Sequence, residues 1–153
     1  MIWPFSRRKA TLPTLDDTLW RQAAAGLPWL RLLDPGRDQR LRPLVAEFLR
    51  DKAITPLQGL RLNEVQRLRL AMLCCLPLLE FGREGLHGWS QLLVYPQAFR
   101  VQRNHMDAQG VLHEWDDELI GEAWERGPVV LSWADVRADI AAPGDGFCVV
   151  AHE

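Results

Sequence analysis

The sequence predicts an α+β fold, N-terminal helices followed by a small mixed sheet with helices. Up to Gly82, apolar residues recur at helical spacing. Beyond it, short runs of branched and aromatic residues bounded by Pro and Gly take over, and Gly146 to Ala151, directly before His152-Glu153, form an apolar run that starts a buried helix. The 153 residues suffice for one domain with a sizeable core. The pattern divides them into a flexible N-terminal arm, 1–13, and a unit over 14–153 that is helical in 15–82 and mixed in 83–153.

Taken in order, Leu15 to Ala25 is amphipathic and stops before Gly26. Asp34 to Lys52 forms a second helix, with Asp34 as cap, Pro35 at the first position and a stripe of Leu41, Leu44, Val45, Phe48 and Leu49. Pro43, inside this stripe, should start a new helix or bend the old one. Ile54-Thr55-Pro56-Leu57 is an extended link. Asn63, with Gln66 as its capping-box partner, opens the most apolar helix, which should be central and buried and end near Pro77.

In the second half, Leu92 to Tyr95 is a strand closed by Pro96, and Phe99-Arg100-Val101 is another candidate. Val111 to Trp115 pairs with one of these across the polar stretch 102–110. Gly127 to Leu131 is the clearest strand. Ser132, with Asp135, then caps a helix to about Ile140, and Asp145 caps the final one.

Composition excludes several function classes. Lys+Arg 18 against Asp+Glu 20 leaves a net charge of −2, so no basic surface for direct nucleic-acid binding is indicated. The longest apolar stretch, Leu70 to Leu79, is too short to cross a bilayer, and no membrane role follows. Cys74, Cys75 and Cys148 are odd in number and sit in apolar runs, the pattern of reduced, buried thiols in a cytoplasmic protein.

The chemistry-bearing motif is His152-Glu153. His-Glu opens H-E-x-x-H, in which two histidines one helical turn apart hold zinc and the glutamate activates a water. Alone the dipeptide is weak, since it also occurs at His113-Glu114. Context separates the two copies: the second follows Phe147, Val149, Val150 and Ala151, which bury one face of a helix and carry the polar pair inward. Burying an unpartnered His and Glu costs roughly 2 kcal/mol or more, so a metal is a natural partner.

Other polar groups have plainer readings. His87 lies in a Gly-rich turn, and His105 and His113 flank a polar loop at a spacing that matches no metal motif. Cys74-Cys75 lacks C-x-x-C spacing and is core packing. Trp89, Trp115, Trp124 and Trp133 are core anchors. Asp116-Asp117-Glu118 with Glu114 is a solvated acidic loop without calcium-loop alternation.

Several segments, in one order over residues 50–153, resemble the Mlc titration factor A family of bacterial zinc metallopeptidases. They are Pro56 to Leu60, Leu76 to Gly82, Leu93 to Pro96 with Phe99, Gly121 to Trp124, Gly127 to Trp133, and Gly146-Phe147 before Val150-Ala151-His152-Glu153. The resemblance implies a zincin-like active-site helix with His152 as first zinc ligand and Glu153 as general base. It also implies a peptide substrate, aminopeptidase-like activity and an interaction with an Mlc-type transcriptional repressor.

The second histidine and later glutamate ligand of that family have no counterpart in these residues. The expectation is therefore an N-terminal portion of the metallopeptidase domain, cut within its active-site helix and binding no zinc by itself. By position, Pro128, Val129, Val130 and Leu131 form the strand that pairs with an extended substrate. A non-catalytic module that binds the repressor is the alternative.

Overall fold

A computed structural model describes residues 11–97, 99–106, 112–119, 121–123, 128–144 and 148–152. Its helices are α1 (Asp17–Ala25), α2 (Pro35–Asp51), α3 (Glu64–Cys75), α4 (Trp133–Ala141) and α5 (Val149–His152). The strands are β1 (Ala53–Pro56), β2 (Gln91–Tyr95), β3 (Phe99–Met106), β4 (Leu112–Leu119), β5 (Gly121–Ala123) and β6 (Val129–Ser132). The α+β class predicted from sequence is the one observed.

Local chemistry explains the helix starts. Asp16, Asp34 and Asn63 each accept the N–H three residues on, at 2.8, 2.9 and 2.9 Å, and Gln66 returns the bond to Asn63, completing the capping box. Pro43 does not start a new helix: α2 runs unbroken from Pro35 to Asp51. Both Pro43 and Gln39, whose carbonyl loses its helical donor, are exposed, so that carbonyl is open to solvent rather than buried unpaired.

Four strands form a sheet in the order β1-β2-β6-β5. β1 and β6 lie parallel to β2, and β5 is antiparallel to β6. The supposed link at Ile54–Pro56 is thus a strand, and α3 is the crossover that makes β1 and β2 parallel neighbours. Pro56 marks it as an edge strand, because proline has no N–H for a ladder.

β3 and β4 form a separate antiparallel hairpin, pairing Met106 with Leu112 and Phe99 with Leu119. The acidic stretch expected as a loop, Glu114 to Glu118, therefore lies in β4, with Glu118 opposite Arg100. Acidic residues have low strand propensity, which hid it in the sequence.

The core is one cluster with α3 at its centre, where seven consecutive or near-consecutive residues, Leu68 and Leu70 to Cys75, are buried. Leu41, Val45 and Phe48 of α2 press on it from one side. Leu92 and Val94 of β2, Leu131, Trp133, Val136, Val149 and Val150 close the cluster. Each fully buried aliphatic or aromatic side chain contributes roughly 1.5–3 kcal/mol. Among the described residues no helix is long and apolar enough to cross a membrane.

Candidate metal-helix site

The site is built from β6 through α4 to α5. Ser132 ends β6 and caps α4 by accepting the Asp135 N–H at 3.4 Å. Six residues after Trp133, Asp139 is buried at 7% exposure on α4. Its Oδ2 accepts the Val149 N–H at 2.7 Å, so α4 supplies a partner to the first N–H of α5. A helix start leaves such N–H groups without intrahelical partners, and a carboxylate is the strongest acceptor for them.

This link was not legible in the sequence. Asp145, the expected cap, lies outside the described residues, and Asp139 sits ten positions from the group it holds. The only local signal for Asp139 was an acid in a short helix with Val136 and Ile140 around it.

Val149 and Val150 enter the main core, and α5 packs against α3 and α4. His152 is the last residue of α5, three positions after the fully buried Val149. Glu153 lies outside the described residues. Two cavities, of about 390 and 320 Å³, flank α5 and share Pro77 and Ala151 in their walls. The larger is apolar, with Trp29, Leu33 and Leu76, and has Arg37 and Glu80 in its wall. These two side chains pair at 2.8 Å, which holds the Glu80 carboxyl below the usual range.

The expected substrate strand lies inside the sheet. Val129, Val130 and Leu131 are paired on both sides, to Leu92, Leu93 and Val94 of β2 and to Ala123, Glu122 and Gly121 of β5. Their backbone has no free edge for a substrate, and Leu131 is buried at 1% exposure. Spacing along the chain placed this strand near α5 but could not show that β5 covers it. Pro128 is half-buried just before the strand, and Val129 lines the smaller cavity with Trp89, Val150 and Ala151. Among the described residues, the open edge on that side belongs to β5.

The remaining polar groups fall into place. Cys74, Cys75 and Cys148 are free thiols; burial pushes Cys74 up to about 12, well away from a reactive thiolate. Trp133 is buried, and Trp89 meets Phe48 edge-on at 5.8 Å. Lys52, buried at the end of α2, donates to the carbonyls of Leu86 and Trp89 and lies over the Trp89 ring at 4.1 Å. Among the described residues, no three His, Cys, Asp or Glu side chains converge to hold a metal ion. Three protein ligands are the norm at a catalytic zinc, so a full shell is not found within these residues.

Comparison with known proteins supplies the family. Residues 3–153 match the family model described as glucose-regulated metallo-peptidase M90. Similar relatives are Mlc titration factor A of Escherichia fergusonii, 37% identical over 99% of this chain and 55% of its own length, and that of Serratia proteamaculans, 38% identical over 99% and 56%. The Klebsiella pneumoniae protein of the same name is 40% identical over 88% of this chain and 49% of its own. The chain spans about half the length of the curated relatives it matches. With the matched region covering nearly every residue, the chain belongs to the glucose-regulated metallo-peptidase M90 family.

Proposed function

We propose that this chain contributes the opening half of the metal site in a cytoplasmic, zinc-dependent peptidase of aminopeptidase type. The observation that carries the reading is the seat of α5, tied to Asp139 and packed on α3, with His152 at its end. Membership in a metallo-peptidase family supports a metal, and the His-Glu order supports zinc.

In this reading His152 supplies one imidazole ligand, and Glu153 takes the proton of the attacking water and passes it to the leaving amine. Bound zinc would supply the acidity that makes the water a nucleophile near neutral pH. The chain's own part is to keep α5 rigid. Two buried valines and the Asp139 bond restrict its rotation. An extended peptide would pair along the β5 edge, at Gly121–Ala123, since β6 is enclosed.

The 153 residues supply one ligand of the shell, so they should show no peptidase activity and no tight zinc at His152. Hydrolysis by the isolated chain that is abolished in Glu153→Gln, or stoichiometric zinc on His152 at micromolar metal, would overturn this incompleteness.

A second reading is a module that binds an Mlc-type repressor. It is favoured by the name of the relatives and by the exposed apolar side chains Leu32 and Phe81, at 83% and 68%, next in sequence to Leu33 and Glu80 of the larger cavity. Retention of the repressor on immobilised chain, lost in Phe81→Asp, would support it; no retention would set it aside.

A further inference from the structure

Cys74 and Cys75 are neighbours on α3, yet they face different partners. The cavities on either side of α5 give the first sign. Cys74 lines the smaller one beside Pro77, Val150 and Ala151, and Cys148 lines the larger one beside Leu73, Leu76, Pro77 and Ala151. Both thiols thus flank the same two residues, Pro77 and Ala151, where α3 packs against α5. The Cys148 carbonyl accepts the Ala151 N–H at 3.1 Å, which ties its backbone to the first turn of α5.

The electrostatics agree with this placement. Burial raises the Cys74 pKa, and the further charge acting on it is that of Cys148. Burial also raises the Cys75 pKa, but the further charges acting there are those of Cys74 and of Glu47 on α2. One step along a helix turns the side chain by about 100°, so Cys75 faces α2 while Cys74 faces α5.

We infer that Cys74 and Cys148 form a two-thiol redox site that closes to a disulfide on exposure to a peroxide. Cys148 is the thiol an oxidant reaches: it is half-buried in the wall of the cavity of about 390 Å³, whereas Cys74 is 8% exposed. The Cys148 sulfur attacks one peroxide oxygen, the O–O bond breaks, and the thiol proton leaves with hydroxide as water. The Cys74 sulfur then displaces the hydroxyl of that sulfenic acid, which takes the Cys74 proton and leaves as a second water. Two thiols and one hydrogen peroxide give one disulfide and two waters. Cys74 and Cys75 do not bridge within an intact helix, because consecutive Cα atoms lie about 3.8 Å apart and a disulfide spans roughly 4.4–6.8 Å.

The bridge bears on α5. A helix of one turn is marginal by itself, and α5 is seated by two valines and the Asp139 bond. A disulfide at Cys148 adds a covalent tie from its start to α3, the centre of the core. Bridge formation needs neither His152 nor the peptidase reading.

The test treats the reduced 153-residue chain with hydrogen peroxide, alkylates the remaining thiols, and identifies the linked peptides by mass spectrometry. The expected product is a monomer with one disulfide and one alkylated cysteine, reversed by dithiothreitol. Cys75→Ala should keep the bridge; Cys74→Ala and Cys148→Ala should each abolish it. Amide exchange at Val150 and Ala151 should slow by about 10-fold or more in the bridged chain.

A bridge that persists in Cys74→Ala, links only between separate chains, or three unlinked cysteines after peroxide would overturn the site. Should a replacement unfold the chain, fragmentation of the wild-type linked peptides still tells Cys74 from Cys75, and a link to Cys75 would be equally fatal.

Discussion

The Asp139 carboxylate on α4 accepts the Val149 N–H at 2.7 Å, a buried bond between two helices whose partners are ten residues apart. It fixes the start of the helix that ends in His152. Asp139→Ala leaves that N–H buried without its acceptor and should cost about 1–3 kcal/mol. Asp139→Asn keeps an oxygen acceptor and should lose less. Denaturant unfolding of both variants, with amide exchange at Val149 as the local readout, checks this order; equal losses would refute it.

Lys52 is a charged group in the core whose partners are two carbonyls and an indole ring. Lys52→Met removes the donor from Leu86 and Trp89 and should lower stability by about 1–3 kcal/mol at neutral pH. Burial lowers the Lys52 pKa below its usual 10.5. Between the folded value and 10.5 the unfolded chain binds more protons, so this group makes stability rise with pH across that window. Below the folded value its contribution is flat. The difference in unfolding free energy between wild type and Lys52→Met, followed above neutral pH, should show that rise; a fall would contradict the burial argument.

Pro43 occupies the exposed face of an unbroken helix and leaves the Gln39 carbonyl without its helical donor. Pro43→Ala restores the donor and should stabilise the protein by about 1–2 kcal/mol, part of the gain being offset by a looser unfolded chain. Thermal unfolding provides the measurement, and an unchanged or lower midpoint would count against it.

Gly26 closes α1 beneath the Arg69 guanidinium, which donates to the carbonyls of Ala23 and Gln22 at 3.1 Å each. A Cβ at position 26 would meet that guanidinium at 2.3 Å. Arg69 is flexible and would swing away, giving up both bonds, so Gly26→Ala should cost about 1–2 kcal/mol. If Arg69→Ala is made first, the added cost of Gly26→Ala should largely vanish in a double-mutant cycle.

Much of the fold was legible because its signals are local. Caps at Asp34, Asn63 and Ser132 act within three residues, and the apolar stripes of α2 and α3 repeat every turn, so sequence alone placed these helices and the strands at Leu92 and Val129. The His-Glu motif and the ordered segments before it were also legible, and they pointed to a metallo-peptidase family before any geometry was known.

What tertiary structure decided is everything that depends on which distant residues meet. The strand at Ile54 needed β2 beside it, and the enclosure of Val129 to Leu131 needed β5. The hold on α5 needed Asp139, and the acidic strand β4 needed β3 beside it. Sequence determines the local periodicities because a helical turn or a strand step is set by neighbouring dihedrals. Partners across the chain are chosen by shared burial and by completed backbone hydrogen bonds, and no spacing along the sequence encodes that choice.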